Sequence, residues 1–389
     1  MTERAYFDWN ATAPLREEAR DALAAALGAT GNASSVHAEG RAARALVEDA
    51  RAAVAALVGA EAKNVTFTSG ATEANMLALT RALEAGAEKA PRDRLFVSAV
   101  EHPSVLSGGR FAPEQVTELA VDGDGLVDLA ALERALAGAE RPLVSVMLAN
   151  NETGVIQPIA EIAEIVHLAN GLLHVDAVQA PGRIDCNMAA LGADLVSLSA
   201  HKLGGPQGAG ALIRRDGIHI SEPLIRGGGQ ERGQRAGTEN VAGIAGFGAA
   251  AAAAAVRTTA EADASRMAAL RDRLEVGLKA ATPEIVIFGA DAPRLPNTTL
   301  FAAPGLKAET ALIAFDLNGI ALSSGSACSS GKVAASHVLA AMGVASDLAR
   351  GALRVSLGRS TTEAQVEQFL GTWIMLAGSL VKEKRELAA

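Results

Sequence analysis

The stretch Asp194-Leu-Val-Ser-Leu-Ser-Ala-His-Lys-Leu-Gly-Gly-Pro, residues 194–206, decides the reading of this chain. Its first half reads as a strand that runs straight into Ser199, His201 and Lys202, and the glycines stop it at once. An amine at a strand end, backed by small residues, is suited to holding an aldehyde as a Schiff base. Taken alone, Ser-Ala-His-Lys reads more readily as surface loop, because short motifs recur by accident.

Working outward, the same pattern repeats. Asn64-Val-Thr-Phe-Thr, Leu95-Phe-Val-Ser-Ala, Pro142-Leu-Val-Ser-Val-Met-Leu and Leu172-Leu-His-Val-Asp are strand-like. Helical signals alternate with them. Residues 41–58 place Leu46, Ala50, Val54, Leu57 and Val58 on one face, and residues 71–83 and 159–170 also read as helices. This alternation predicts an α/β fold with a mostly parallel sheet covered by helices. Sites in such sheets lie at the carboxyl ends of the strands. Polar clusters occupy those ends: Ser69-Gly70, Glu101-His102, Asn150-Asn151-Glu152, Asp176 and His201-Lys202.

The alanine run 249–255 reads as helix, since alanine is the best helix former. Residues 256–280, rich in Arg, Glu and Asp, read as a solvated helix joining two domains. Residues 284–389 are mixed α/β, with apolar segments such as Thr310-Ala-Leu-Ile-Ala-Phe and Ala352-Leu-Arg-Val-Ser-Leu. The expected division is a large domain over 13–255 and a smaller one built from 1–12 and 256–389.

Composition excludes several classes. The chain has 389 residues, 49% hydrophobic and 20% charged, which is ordinary for globular domains and carries no disorder signature. A net charge of −9 disfavours a nucleic-acid partner. No run reaches the roughly 18 apolar residues of a membrane span. The opening residues lack the apolar core of a signal peptide, so the cytoplasm is expected. Cys186 and Cys328 are the only cysteines, too few for a disulfide framework or a zinc site.

Asp176, in His174-Val-Asp-Ala-Val-Gln, is placed at the end of a strand neighbouring that of Lys202. An aspartate facing a pyridine nitrogen keeps it protonated, as pyridoxal phosphate chemistry requires. Ser69-Gly-Ala-Thr-Glu-Ala-Asn lies between a strand and a helix. The first turn's N–H groups at Ala71 and Thr72 suit a phosphate, although the same residues make an ordinary helix start. Neither Gly204-Gly-Pro-Gln-Gly-Ala-Gly nor the glycine-rich run from Arg226 fits a nucleotide-binding spacing. His102 follows a strand and precedes Pro103, where it suits stacking on a flat ring and moving protons, or equally a satisfied structural histidine. Cys328 sits in Ser323-Ser-Gly-Ser-Ala-Cys-Ser-Ser-Gly-Lys, a small and polar setting fit for a reactive thiol. Cys186 reads as structural. Arg354 is either a surface charge or a planar fork for a carboxylate.

Together these residues resemble a cysteine desulfurase of the NifS/IscS type, in the class V aminotransferase family of pyridoxal phosphate enzymes. The resemblance runs from Tyr6-Phe-Asp-Trp-Asn-Ala-Thr-Ala-Pro through Gly31-Asn-Ala-Ser-Ser-Val-His, Thr68-Ser-Gly-Ala-Thr-Glu and Ala149-Asn-Asn-Glu-Thr-Gly. It ends with Arg235-Ala-Gly-Thr, the Cys328 stretch and Arg354-Val-Ser-Leu-Gly-Arg. Trp9, Ala13 and Ala33 depart from the usual motifs and touch no catalytic group. The resemblance implies a fold type I transferase with a large and a small domain. It implies Lys202 as the Schiff-base lysine, Asp176 as the pyridinium partner and Gln179 as donor to the ring hydroxyl. It makes His102 the ring-stacking acid/base. Ala71, Thr72, Ser199 and His201 form the phosphate cup, with Thr238 reaching it from the second subunit of a homodimer. Asn151 lies beside the cofactor and, with Arg354, holds the substrate carboxylate.

The implied reaction takes sulfur from L-cysteine, leaving L-alanine and a persulfide on Cys328. The persulfide passes to an acceptor such as an iron–sulfur scaffold. No resident metal is implied; Cys328 would share a cluster with a scaffold only transiently. A selenocysteine lyase, or another class V lyase or aminotransferase, would share the fold. The thiol of Cys328 speaks against a transaminase. A scaffold that only docks partners would not need Lys202, Asp176 and His102 together.

Overall fold

The computed structural model describes residues 4–325 and 336–380. Its centre is a seven-stranded sheet in the order Val65–Thr68, Gly210–Arg214, Leu195–Ser199, Leu172–Asp176, Leu143–Met147, Leu95–Ser98, Val116–Leu119. Gly210–Arg214 runs antiparallel to both neighbours, and the other neighbouring pairs are parallel. The four central parallel strands are buried along their whole length. Helices on both faces cover them, which explains their near-continuous apolar sequences. The register sets Met147 beside Asp176 and Asp176 beside Ser197, so neighbouring carboxyl ends finish at one level.

Small residues let the covering helices come close. The helix Ala38–Leu57 buries Val47, Ala50 and Val54. It packs on the alanine-rich helix Val241–Ala254 so tightly that a Cβ on Gly248 would sit 2.5 Å from the Ala50 Cβ. Only glycine fits there.

Two expectations need correction. The helix expected over 71–83 ends at Ala78, and Leu83–Ala85 is a strand paired antiparallel with Ile218–Ile220. Leu77, Leu79 and Leu83 are all buried in one cluster, which suits either periodicity, and the pairing partner decides. The helix Arg257–Ala281 is not solvated all round, because Met267, Leu270, Leu274 and Leu278 form a buried stripe. The strand Gly210–Arg214 had no reading in the sequence.

A second apolar cluster joins Ala5 and Phe7 to that stripe and to Phe301, Phe315, Phe369 and Trp373. Phe315 and Phe369 stack with centroids 5.0 Å apart. Four antiparallel strands accompany it, in the order Val286–Ile287, Thr298–Ala302, Leu353–Ser356, Ser323–Ser324. The N-terminal strand Ala5–Tyr6 pairs parallel with Ile320–Ala321. The chain then carries Trp9 and Asn10 to the ends of the large sheet. Among the described residues no single helix is long and apolar enough to cross a membrane.

Candidate active site

A cavity of about 520 Å³ opens at the carboxyl ends of the parallel strands. Lys202, His102, Asp176, Gln179, Ser199, His201, Ala71, Thr72, Asn151 and Arg354 all line it. Thr238 does not; it is exposed, beside a neighbouring pocket of about 220 Å³ that shares Ser69 and Gly208 with the cavity. Cys328 lies outside the described residues.

Lys202 closes a single 3₁₀ turn, Ala200–Lys202, directly after the strand Leu195–Ser199. Its Nζ donates to the carbonyls of Asn10 at 2.5 Å and Ala11 at 2.9 Å. Asp176 ends the adjacent strand and is 6% exposed. Its Oδ2 accepts from Asn75 Nδ2 at 2.9 Å and its Oδ1 from the Val178 N–H at 3.1 Å. The amine and the carboxylate therefore stand on neighbouring strand ends of the same cavity.

His102 precedes the short helix Pro103–Leu106 and caps it. Its Nδ1 accepts the Ser104 N–H at 3.2 Å and lies 2.8 Å from Ser104 Oγ. Accepting at Nδ1 leaves the proton of the neutral ring on Nε2. Burial lowers its pKa, with Asp176 opposing and Lys202 and His337 assisting. His201 bonds Thr12 Oγ1 at 3.2 Å, and burial reinforced by Lys202 holds it down at about 4. Both imidazoles are thus disposed to be neutral, as proton acceptors or stacking faces.

Arg354, also lining the cavity and 2% exposed, donates to the Asn151 carbonyl at 2.9 Å and to Asp8 Oδ1 at 2.8 Å. Its Nε is buried without a partner. Glu152, 4% exposed, accepts from Ser336 Oγ at 2.6 Å. Burial pushes it up to about 7, against that hydrogen bond and Arg354. At the other end of the cavity the helix Ala71–Ala78 starts after Gly70 with no capping side chain, so its first N–H groups face the opening unclaimed by a cap. Gly210 passes against Gly70 so closely that a Cβ would lie 2.6 Å from the Gly70 Cα.

Three contributors were not singled out in the sequence. Asn10 is 1% exposed and central: its carbonyl accepts from Lys202 and from Gln179 Nε2, and its side chain donates to the Asn151 carbonyl at 3.1 Å. Asn75 holds Asp176. Glu73 binds Arg235 Nε at 2.9 Å and the Ser69 N–H at 2.9 Å, next to the helix start. Asn75 and Glu73 fall within the Ser69–Asn75 motif. Asn75 is four residues after Ala71, one helical turn along the same face, and that spacing was a usable signal. Gln179 also accepts from Arg183 Nη1 at 2.5 Å, so its carbonyl end is engaged and one amide hydrogen remains.

An α/β sheet that gathers a lysine, an aspartate and a helix start at its strand ends defines a fold type I enzyme. Comparisons with known proteins narrow this. The model of the aminotransferase class-V family matches residues 5–369, and the chain belongs to that family. It is 44% identical over 375 residues to a cysteine desulfurase of Cereibacter sphaeroides, covering 95% of this chain and 94% of the relative. It is 40% identical over 393 residues to an IscS-like cysteine desulfurase of Mycobacterium tuberculosis, covering 99% and 98%. A solved NifS-like protein from Rickettsia africae superposes with a TM-score of 0.87 at 37% identity, over 97% of this chain and 100% of that one. The activity is cysteine desulfuration.

Proposed function

We propose that the cavity holds pyridoxal 5'-phosphate on Lys202 and that Cys328 takes the sulfur of L-cysteine. One observation carries the reading. Lys202 and Asp176 stand on adjacent strand ends of one cavity that Arg354 also lines. The residues present fit the cofactor: an amine for the aldehyde, a carboxylate for the ring nitrogen, and an uncapped helix start for the phosphate. When bound, the cofactor supplies an electrophilic aldehyde and a sink for the electrons of a carbanion.

This chain's residues do the rest. Arg354 and Asn151 orient the substrate carboxylate. Lys202 Nζ, as a free amine, would remove the proton from the substrate Cα and return one to carbon. Asp176 would keep the ring nitrogen protonated, Gln179 would donate to the ring hydroxyl, and His102 would cover the ring. The Cys328 thiolate attacks the substrate sulfur. An S–S bond forms, the C–S bond breaks, and protonated carbon leaves as L-alanine.

Thr238 reaches the phosphate of the partner's site, making the active unit a homodimer. Its exposure beside a pocket continuous with Ser69 supports this. The cluster within residues 19–254 and the one joining 5–7 to 270–373 support a large domain over 13–255 and a small one over 1–12 and 256–389. The persulfide is delivered to an acceptor thiol such as that of an iron–sulfur scaffold, in the cytoplasm.

Mass spectrometry after brief exposure to L-cysteine tests the reading. One added sulfur should appear on the Cys328 peptide, and Cys328→Ser should bind the cofactor yet make no alanine. Alanine at the parent rate from Cys328→Ser would overturn it.

A further inference from the structure

Glu101 has no part in the reaction described above, yet it is 0% exposed. One of its oxygens, Oε1, accepts the Met147 N–H at 2.6 Å. The other, Oε2, is buried with no partner. No cation pairs with this carboxyl among the described residues. His337 Nε2 reaches the Glu101 backbone carbonyl at 2.8 Å, not the side chain.

Met147 is the register partner of Asp176, so two carboxyls share the floor beneath the cavity. Their solvation is unequal. Asp176 receives an N–H on each oxygen and lines the cavity. Glu101 receives one N–H and is sealed off. Two carboxylates in one buried region do not both keep a charge, and the proton stays on the less solvated one. Burial raises Glu101 well above the ordinary carboxylate range, and the charge of Asp176 raises it further, against the Met147 hydrogen bond. The other titratable groups about this floor are His102, Lys202, His337 and His174.

We infer that Glu101 is a protonated, neutral acid throughout the working pH range, a positioning residue that fixes the end of the strand Leu143–Met147 and leaves Asp176 as the one carboxylate for the ring nitrogen. The inference rests on the proposed role of Asp176. It deepens that role by explaining how a second acid beside it avoids competing for the ring proton.

Infrared spectroscopy reads the proton directly, in protein freed of cofactor. The spectrum is taken about one pH unit above the Glu152 midpoint of about 7, where Glu152 is ionised. A carboxylic-acid carbonyl band should persist there, shift on ¹³C-labelling of glutamate carboxyls, and vanish in Glu101→Gln. In Asp176→Asn the band should titrate at lower pH, because the neighbouring charge is gone. With cofactor restored, Glu101→Gln should leave the pH midpoint of the visible absorbance unmoved, since amide and neutral acid carry the same charge. Absence of the acid band in the parent overturns the inference, as does a midpoint shift of about one unit, a tenfold change in proton affinity. If Glu101→Gln fails to fold, the labelled parent and Asp176→Asn still decide. If the band is present but Asp176→Asn keeps full turnover, the cofactor reading of Asp176 fails while the neutral Glu101 stands.

Discussion

The floor of the cavity and its outer arm are built on different principles. On the floor, Asp176, Ser199 and Lys202 follow from strands whose backbone is bonded on both sides. Pairing within the sheet sets the level of these strand ends. The outer arm, from Arg226 to Asn240, is mostly exposed and contains two non-glycine residues in the left-handed region, Glu231 at φ 46° and Arg232 at φ 56°. Such residues cost of order 1–3 kcal/mol each and persist only where the surroundings over-determine them. Here side chains supply the restraint. Glu231 takes Arg51 in a fork, at 2.6 and 2.8 Å, and the Phe67 N–H at 2.9 Å, while Arg235 reaches Glu73. A backbone ladder fixes the chemistry, and a buried ion pair fixes the arm that carries Thr238. Changes to the floor should therefore strike turnover, and changes to the arm should strike stability and cofactor retention.

The largest effect is expected on the floor. Lys202→Ala removes the proposed attachment and proton carrier together, and positioned proton transfer alone contributes about 10²–10⁴ in rate. Alanine release should fall by at least that factor, and borohydride should no longer fix a cofactor to the protein. Fixation on a different lysine would remove Lys202 from its place. Asp176→Asn should retain some cofactor and lose most turnover.

On the arm, Arg51→Met strands Glu231, whose side chain is 3% exposed. Leaving one partner of a buried pair costs about 3–5 kcal/mol, whereas replacing both by apolar groups is often near neutral. Urea unfolding should show that loss in Arg51→Met and most of it recovered when Glu231→Met is added. A single variant as stable as the parent would mean that the arm is held by something else.

Two buried groups, one on the floor and one behind the cavity lining, should also titrate with opposite signs. His174, between Ser145 Oγ at 2.8 Å and Ser197 Oγ at 2.9 Å, is lowered by burial from 6.5 to about 4. The unfolded chain takes up that proton first, so stability falls by about 3 kcal/mol as pH drops from 6.5 to 4. Glu152, buried beside Ser336, is raised by that burial from 4.5 to about 7. The unfolded chain gives up that proton first, so stability falls by a similar amount as pH rises from 4.5 to 7. Glu152→Gln lacks the second slope. Its stability relative to the parent should climb with pH across that window, and a constant difference in urea titrations would refute the assignment.

The same contrast separates what the sequence discloses from what it hides. Buried parallel strands read as apolar runs, and each ends on its polar residue, so Asp176, His102 and Lys202 are legible one strand at a time. Asn10 contacts Lys202 across 192 positions, and Arg51 meets Glu231 across 180, and no local pattern encodes such pairings. Gly210–Arg214 is a buried strand like its neighbours, but nothing in its five residues states that it runs the other way. Leu83 fits a helix or a strand until Ile220 is seen beside it. Thr238 could be placed only by resemblance, because its proposed partner is on another chain.

The smallest effect belongs to the interior thiol. Sulfur transfer needs a thiolate that can meet the substrate. Cys186 is 3% exposed, and its Sγ points to the Leu57 carbonyl at 3.7 Å, at the end of the helix Ala38–Leu57 and away from the cavity. Burial, with Asp185 adding to it, pushes its pKa up to about 12, so the group stays a protonated, core-like atom at any working pH. Cys186→Ala then removes one packed sulfur, a loss of about 1 kcal/mol in unfolding free energy with desulfuration unchanged. Iodoacetamide applied to the native parent should modify Cys328 and spare Cys186 until denaturant is added. Labelling of Cys186 in the native protein, or alanine production that depends on it, would move the sulfur chemistry from the pocket to the core and would reverse the roles given to the two thiols.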